Sequence, residues 1–215
     1  MLLDIQDLRQ EYNIGELDKL TANPDPIRQF ESWFKDALQA NEPEPNAMTL
    51  ATATPDGRPS ARIVLLKGLD PTGFIFYTNY DSRKGRELDA NTHAALVFNW
   101  MGLHRQVRVE GKVEKLLPEK STQYFQSRPK ESQIGAWASP QSAVIHDRSV
   151  LEEKVAALKK KYAGVEELPR PENWGGYLLR PDLVEFWQGR NSRLHDRLQY
   201  SPDGNNGWII ERLAP

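Results

Sequence analysis

Three side chains that carry or can acquire positive charge, Arg193, His195 and Arg197, stand at alternate positions in the run Trp187-Gln188-Gly189-Arg190-Asn191-Ser192-Arg193-Leu194-His195-Asp196-Arg197. In a β-strand that spacing sets all three on one face. Two guanidiniums around an imidazole repel one another on a packed surface. The pattern therefore suits an anionic or electron-rich aromatic ligand, or else an exposed edge strand kept soluble by its charge.

Asp81-Ser82-Arg83-Lys84 gives a helix a good capping residue yet sets two cations in its first turn, where the macrodipole disfavours them. A bound anion would remove the conflict, and an ordinary solvated turn is the alternative. In Arg62-Ile63-Val64-Leu65-Leu66-Lys67 the two cations lie five positions apart, on opposite faces of a regular strand. They could meet two different anions, or simply reach solvent from the strand ends. Tyr124 and Arg128 form an i, i+4 pair, after which Pro129 restarts the chain with Ser132 in the next first turn. A phosphate could bridge that junction through a guanidinium fork, hydroxyls and a helix start, although surface packing of Tyr124 would give the same pattern. Gln106, Gln141 and Ser142 are neutral polar groups of the kind that hydrogen-bond a heteroaromatic rim.

Composition limits what these groups can serve. With 28 basic and 30 acidic residues the formal charge is -2, so nothing global favours nucleic acid or an anionic membrane. The chain has no cysteine, which excludes disulfides, thiolate metal sites and cysteine nucleophiles and fits a reducing cytosol. Four dispersed histidines show no metal-ligand spacing, and no metal site is expected. Neither a signal segment nor a membrane-length apolar run occurs, so a soluble, cytoplasmic protein is expected. A length of 215 residues suits one sizeable domain.

The elements that must position these groups read as follows. Residues 4–21 are polar with short helical character, and 26–40 has the apolar spacing of an amphipathic helix begun by Pro26. Strands are predicted over 47–54, 60–67 and 74–78, joined by tight turns into an antiparallel meander. A helix over 82–90, strands over 93–100 and 104–117, and helices over 118–127, 129–137 and 148–162 follow. The final strands are placed at 176–179, 183–188, 192–200 and 208–213, with Asp203-Gly204-Asn205-Asn206-Gly207 as a hairpin turn. Mostly antiparallel strands with peripheral helices predict a mainly β fold of the barrel type.

Taken in order along the chain, Arg62 to Lys67, Tyr77-Thr78, Ser82-Arg83-Lys84, Gln106, Tyr124 with Ser127-Arg128-Pro129, Ser132 to Trp137, Gln141-Ser142 and Phe186-Trp187-Gln188-Gly189 with Arg193 to Arg197 resemble the motifs of the pyridoxine/pyridoxamine 5′-phosphate oxidase family. The resemblance covers essentially the whole chain. It implies an FMN-binding split β-barrel of antiparallel, Greek-key type. The implied assembly is a homodimer with FMN at the subunit interface, and residues 170–215 complete the dimeric site. The implied reaction is oxidation of pyridoxamine 5′-phosphate and pyridoxine 5′-phosphate to pyridoxal 5′-phosphate by O2, releasing H2O2, and ammonia from the amine, in vitamin B6 salvage.

Carried over position by position, Arg62 and Lys84 would hold the FMN phosphate, with Ser82, Arg83, Tyr77 and Thr78 beside it. Ile63, Val64, Leu65, Leu66 and Lys67 would continue the flavin-binding strand. Gln106, Gln141, Ser142, Trp187 and Arg197 would contact the rest of the flavin from both subunits. Lys67, Tyr124, Arg128 and Ser132 would grip the substrate phosphate. Arg193 and His195, with Leu194 between them, would flank the pyridine ring as the catalytic pair. The family's amino-terminal segment, here residues 1–25, can fold over the substrate, and Arg9 and Tyr12 stand at its matching positions. A non-catalytic flavin or haem carrier, or a nicotinamide-linked reductase on the same barrel, would not need the substrate-phosphate set.

Overall fold

The structure, a computed structural model, describes residues 11–12 and 14–215. Arg9 lies outside the described residues. The helices are α1 (Pro26–Gln39), α2 (Arg83–Ala90), α3 (Pro118–Ser127), α4 (Lys130–Ala138) and α5 (Ser149–Lys161). The strands are β1 (Ala47–Ala53), β2 (Pro59–Leu65), β3 (Gly68–Asp70), β4 (Gly73–Asn79), β5 (His93–Trp100), β6 (Arg105–Lys115), β7 (Trp174–Gln188), β8 (Asp196–Pro202) and β9 (Trp208–Arg212). They form one sheet in the order β2-β1-β5-β6-β7-β4-β3, with β8 pairing β7 and β9 pairing β8. The ladders β3/β4, β4/β7, β7/β8 and β8/β9 are antiparallel.

The chain divides into two compact units. The first comprises Met1–Thr49, Ala95–Glu110 and Pro181–Pro215. Its core is aromatic. Asp25 caps α1 by accepting the Ile27 N–H at 2.8 Å, Pro26 begins the helix, and Phe30 and Trp33 fall on the inward face. Phe30 meets Phe98 at 4.7 Å between ring centroids, and Trp33 meets Phe186 edge-on at 5.2 Å. The second unit comprises Leu50–Ala94 and Gly111–Arg180. Here Phe125, Ile134, Tyr162, Leu168 and Trp174 form a buried cluster, with Tyr77 and Tyr124 packed against it.

Four expectations need correction. The meander of 47–54, 60–67 and 74–78 does not form, because β4 pairs with β7 and β3 and not with β2. β4 is buried at five of its seven residues and needs hydrogen-bonded neighbours, whereas β2, alternately exposed, tolerates the edge. Residues 176–179 and 183–188 belong to a single strand, β7, with Pro181 between the residues that pair with β4 and those that pair with β8. The described residues 14–21 form no helix, since side chains take their backbone groups: Asp196 accepts the Leu17 N–H at 3.2 Å and Arg212 donates to the Leu17 carbonyl at 3.1 Å. The fourth concerns 192–195 and belongs to the site.

Candidate functional site

Two clusters occupy the second unit, one of several cations and one an aromatic stack bearing a single arginine. In the first, Arg62 lies on the half-buried face of β2 and donates to the hydroxyls of Thr52 and Ser60, each at 2.6 Å, and to Glu87 at 3.1 Å. Ser82 caps α2 by accepting the Gly85 N–H. That start places Arg83 one turn before Glu87, where the two pair at 2.8 Å. Glu87 is buried, which raises its pKa, but the Ser60 and Thr52 hydroxyls and the Arg83 and Arg62 guanidiniums outweigh burial and hold it down to about 2.

Lys84 is also buried, and its ammonium reaches Gln141 Oε1 at 2.8 Å, Thr78 Oγ1 at 3.2 Å and Ser82 Oγ at 3.3 Å. All three partners are neutral. Desolvation, and then repulsion from Arg62, pull the Lys84 pKa down to about 8. Three cations, Arg62, Arg83 and Lys84, thus share one carboxylate, Glu87, leaving a surplus of two positive charges (three minus one) around a helix start. An anion fits that imbalance.

The second cluster is built on a stack. Tyr77 of β4 lies over Tyr124 of α3 at 3.8 Å and over Trp174 at 5.5 Å. Arg128, at the end of α3, sits over the Trp174 ring at 4.7 Å. One of its terminal nitrogens, Nη1, is buried with no hydrogen-bond partner among the described residues. A buried guanidinium N–H costs free energy when unpaired, so this atom points to an acceptor supplied from outside. Burial raises the Tyr77 and Tyr124 pKa values, so both remain neutral hydroxyl donors near pH 7. Ser132 stands in the first turn of α4, half-buried, and Lys67 is exposed just beyond β2. The opposite-face argument for Arg62 and Lys67 assumed one regular strand, but β2 ends at Leu65, so Lys67 is aimed by the connection to β3. Ile63 and Leu65 are exposed, Val64 is half-buried and Leu66 is buried. Gln141 and Ser142 follow α4 in an exposed turn, with Ser142 in the left-handed region.

The first unit holds the remaining residues. The single cationic face expected of Arg193, His195 and Arg197 does not exist. Ser192 and Arg193 adopt positive φ, 54° and 61°, inside a one-turn 3-10 segment, and β8 starts only at Asp196. Arg197 lies on β8 opposite Trp187, and donates to the buried carboxylate of Glu185 at 2.8 Å and to the Ala214 carbonyl at 2.8 Å. Glu185 also accepts from Arg108 at 3.1 Å. His195 sits in the preceding loop with its ring 4.5 Å from Trp187 and 5.6 Å from Tyr12. Burial, then Arg193, lowers its pKa, so the ring is neutral near pH 7. Its Nδ1 accepts the Arg190 backbone N–H at 3.1 Å, which places the proton of the neutral ring on Nε2. Arg193 and Leu194 are exposed, and Gln106 is half-buried on β6.

Sequence reasoning missed Thr52, Ser60, Glu87, Trp174, Glu185 and Arg190. The Arg83/Glu87 spacing of four was visible as a helical ion pair. The link from Glu185 to Arg197 depends on strand register and left no such mark.

A profile of the family described as pyridoxamine 5′-phosphate oxidase matches residues 34–162, and one described as the pyridoxine 5′-phosphate oxidase C-terminal dimerisation region matches residues 174–215. The pyridoxine/pyridoxamine 5′-phosphate oxidase of Salinibacter ruber is 59% identical over 212 residues, covering 98% of this chain and 99% of the relative. That of Paraburkholderia phymatum is 57% identical over 211 residues, with the same coverage. Among solved structures, PhzG from Burkholderia lata, in complex with tetrahydrophenazine-1-carboxylic acid, aligns with a TM-score of 0.87 at 33% identity, covering 94% of this chain and 99% of that one. A pyridoxamine 5′-phosphate oxidase-related FMN-binding protein from Nostoc punctiforme aligns with a TM-score of 0.70 at 20% identity, covering 86% and 97%, and supports the split-barrel fold.

Proposed function

The chain belongs to the pyridoxamine 5′-phosphate oxidase family, and we propose that it oxidises pyridoxamine 5′-phosphate and pyridoxine 5′-phosphate to pyridoxal 5′-phosphate with FMN as cofactor and O2 as acceptor. It works as a homodimer, the assembly that its match to the family's dimerisation region supports. The observation that carries the reading is near-full-length identity to relatives of that name; the cations gathered at the start of α2 and the unpartnered Arg128 nitrogen beside an aromatic stack support a site for each of two phosphates.

In this reading Arg62, Arg83 and Lys84 hold the FMN phosphate at the start of α2, with Ser82, Thr78 and Gln141 fixing the Lys84 ammonium. Arg128, Tyr124, Ser132 and Lys67 bind the substrate phosphate, and the stack of Tyr77, Tyr124 and Trp174 holds that site rigid. Trp187 and Arg197 contact the flavin, Arg197 being aimed by Glu185. When bound, FMN would supply the two-electron acceptor for oxidation at the substrate's C4′ carbon, with O2 as the final oxidant and H2O2 as its product. The protein's share is orientation and charge. His195 donates from Nε2 to the substrate's oxygen or amine; with Nδ1 already accepting a backbone N–H, it acts as a hydrogen-bond donor and not as a general base. Arg193, on its strained backbone, presents its guanidinium to the pyridine ring beside His195.

No described helix is long and apolar enough to cross a membrane. The cysteine-free composition fits a reducing compartment, and the cytoplasm is the proposed location.

The test is oxygen-dependent H2O2 formation by the purified protein with each 5′-phosphate, alongside identification of the released flavin. Turnover of both substrates with FMN bound is expected. A protein that neither binds FMN nor oxidises either substrate overturns the reading.

A further inference from the structure

Arg190, whose backbone N–H meets His195, lies between Trp187 and His195 in the chain. Its guanidinium donates to the Gly15 carbonyl at 3.1 Å, pairs with Glu16 at 2.9 Å and approaches Asp196 at 3.7 Å. Asp196 is the fixed post of the arrangement. It accepts the Leu17 N–H at 3.2 Å and pairs with Arg212 at 2.7 Å, while Arg212 donates to the Leu17 carbonyl and to Asp18, each at 3.1 Å. The segment 14–18 is thus tied to the carboxyl-terminal strands by two arginines and one aspartate.

Just before that segment, Tyr12 meets three rings edge-on: His104 at 4.7 Å, His195 at 5.6 Å and Trp187 at 5.9 Å. The close approach depends on a missing side chain. A Cβ on Gly189 would lie 2.8 Å from the Tyr12 Cβ, nearer than such atoms come. A cavity of about 590 Å³ lies beside this segment, hereafter the strap, lined by Tyr12, Gly15, Glu16, Arg190 and Leu194 among others.

We propose that Arg190 is a positioning residue whose guanidinium clasps the segment Gly15–Glu16 to the Asp196 post, and so seats Tyr12 against His195 and closes the substrate's ring site. The proposal rests on the assignment of His195 to the substrate. The geometry gives the clasp two parts that separate variants can break: the ionic tie at Arg190 and the steric allowance at Gly189. Both lead to Tyr12 and neither belongs to a phosphate cluster.

Two readouts test it. The first is chymotrypsin cleavage after Tyr12 in the protein as isolated, followed by mass spectrometry, which needs no turnover. Arg190→Ala and Gly189→Ala should each speed that cleavage over wild type. The second is steady-state kinetics with pyridoxine 5′-phosphate, where each variant should raise KM roughly 3- to 30-fold with kcat little changed, as for the loss of one partly exposed charge-assisted tie. Arg190→Lys should recover much of both effects, because an ammonium can still reach Glu16 or the Gly15 carbonyl. A variant that unfolds is replaced by Glu16→Gln, which weakens the same tie from the strap side. Wild-type cleavage and wild-type KM in Arg190→Ala, with only the melting temperature lowered, would overturn the clasp and leave Arg190 a structural residue. If the wild type oxidises neither phosphate ester while the cleavage contrast persists, the functional reading fails and the clasp stands.

Discussion

Arg62 and Lys84 meet the same demand by different means, and they should respond differently to pH and to mutation. Arg62 is neutralised by Glu87, whereas Lys84 has only neutral partners and a pKa near 8. If Lys84 must be charged to bind the FMN phosphate, flavin affinity falls as pH rises through that value, by about tenfold between pH 7 and 9. Titration of the flavin-free protein across that range checks this, and a flat profile would remove Lys84 from the phosphate shell. The stability of the flavin-free protein should move the other way. Between pH 8 and about 10.5 the unfolded chain binds the extra proton, so stability rises with pH in that window. Glu87 behaves oppositely, its contribution being complete above about 4.5 and lost as pH falls toward 2. Lys67, exposed and outside β2, offers the contrast with Arg62. Lys67→Ala should keep FMN and raise KM roughly 10- to 150-fold, while Arg62→Ala should chiefly weaken FMN retention. Equal loss of FMN with unchanged KM would move Lys67 into the cofactor shell. That these cations are candidates for binding anions was legible from residue type and order. Their real surroundings were not, because Thr52, Ser60 and Glu87 reach Arg62 only through strand pairing and the packing of α2.

At the level of elements, most helices and strands follow from periodicity and punctuation; the breaks at Pro118 and Pro129 place α3 and α4 to within a residue. Sheet order does not follow, since nothing local says that β4 pairs with β7 over nearly a hundred residues of chain. The loop before β8 escaped for a different reason. Alternating Arg193, His195 and Arg197 satisfies a strand pattern, and the left-handed backbone at Ser192 and Arg193, unusual for side chains of either kind, has no signature in residue type. The start of α2 shows how little room an element can have. A Cβ on Gly85 would collide with the Tyr80 carbonyl oxygen of the backbone, which cannot swing aside as a side chain would. Gly85→Ala should therefore shift the helix start, destabilise the protein by about 1–3 kcal/mol and weaken FMN binding, despite the better helix propensity of alanine. Thermal unfolding beside flavin titration checks it. A more stable variant with normal affinity would show that Ser82, Arg83 and Lys84 do not depend on that close fit.

For the molecule as a whole, charge bookkeeping sets what it can select. A net charge of -2 offers no general attraction for anions, so in the proposed reading discrimination falls to the surplus at α2 and to the unpartnered Arg128 nitrogen. The same protein should release FMN and not FAD on denaturation, and its native mass should be that of a dimer. PhzG shares the fold at 33% identity and was solved with a carboxylated tricyclic compound, so the barrel alone does not dictate a phosphorylated substrate. In the proposed reading the Arg128 cluster supplies that selectivity. Charge-assisted hydrogen bonds are worth about 1.5–3 kcal/mol each, and losing two or more should lower kcat/KM for unphosphorylated pyridoxine by about 10² to 10⁴ relative to its 5′-phosphate. Arg128→Met should erase most of that ratio by slowing the phosphorylated substrate alone, because the buried Nη1 of its half-buried guanidinium has nothing to grip when the phosphate is absent. Equal kcat/KM for the two forms in the wild type would mean that Arg128 meets some other acceptor and that the second cluster is not a substrate-phosphate site.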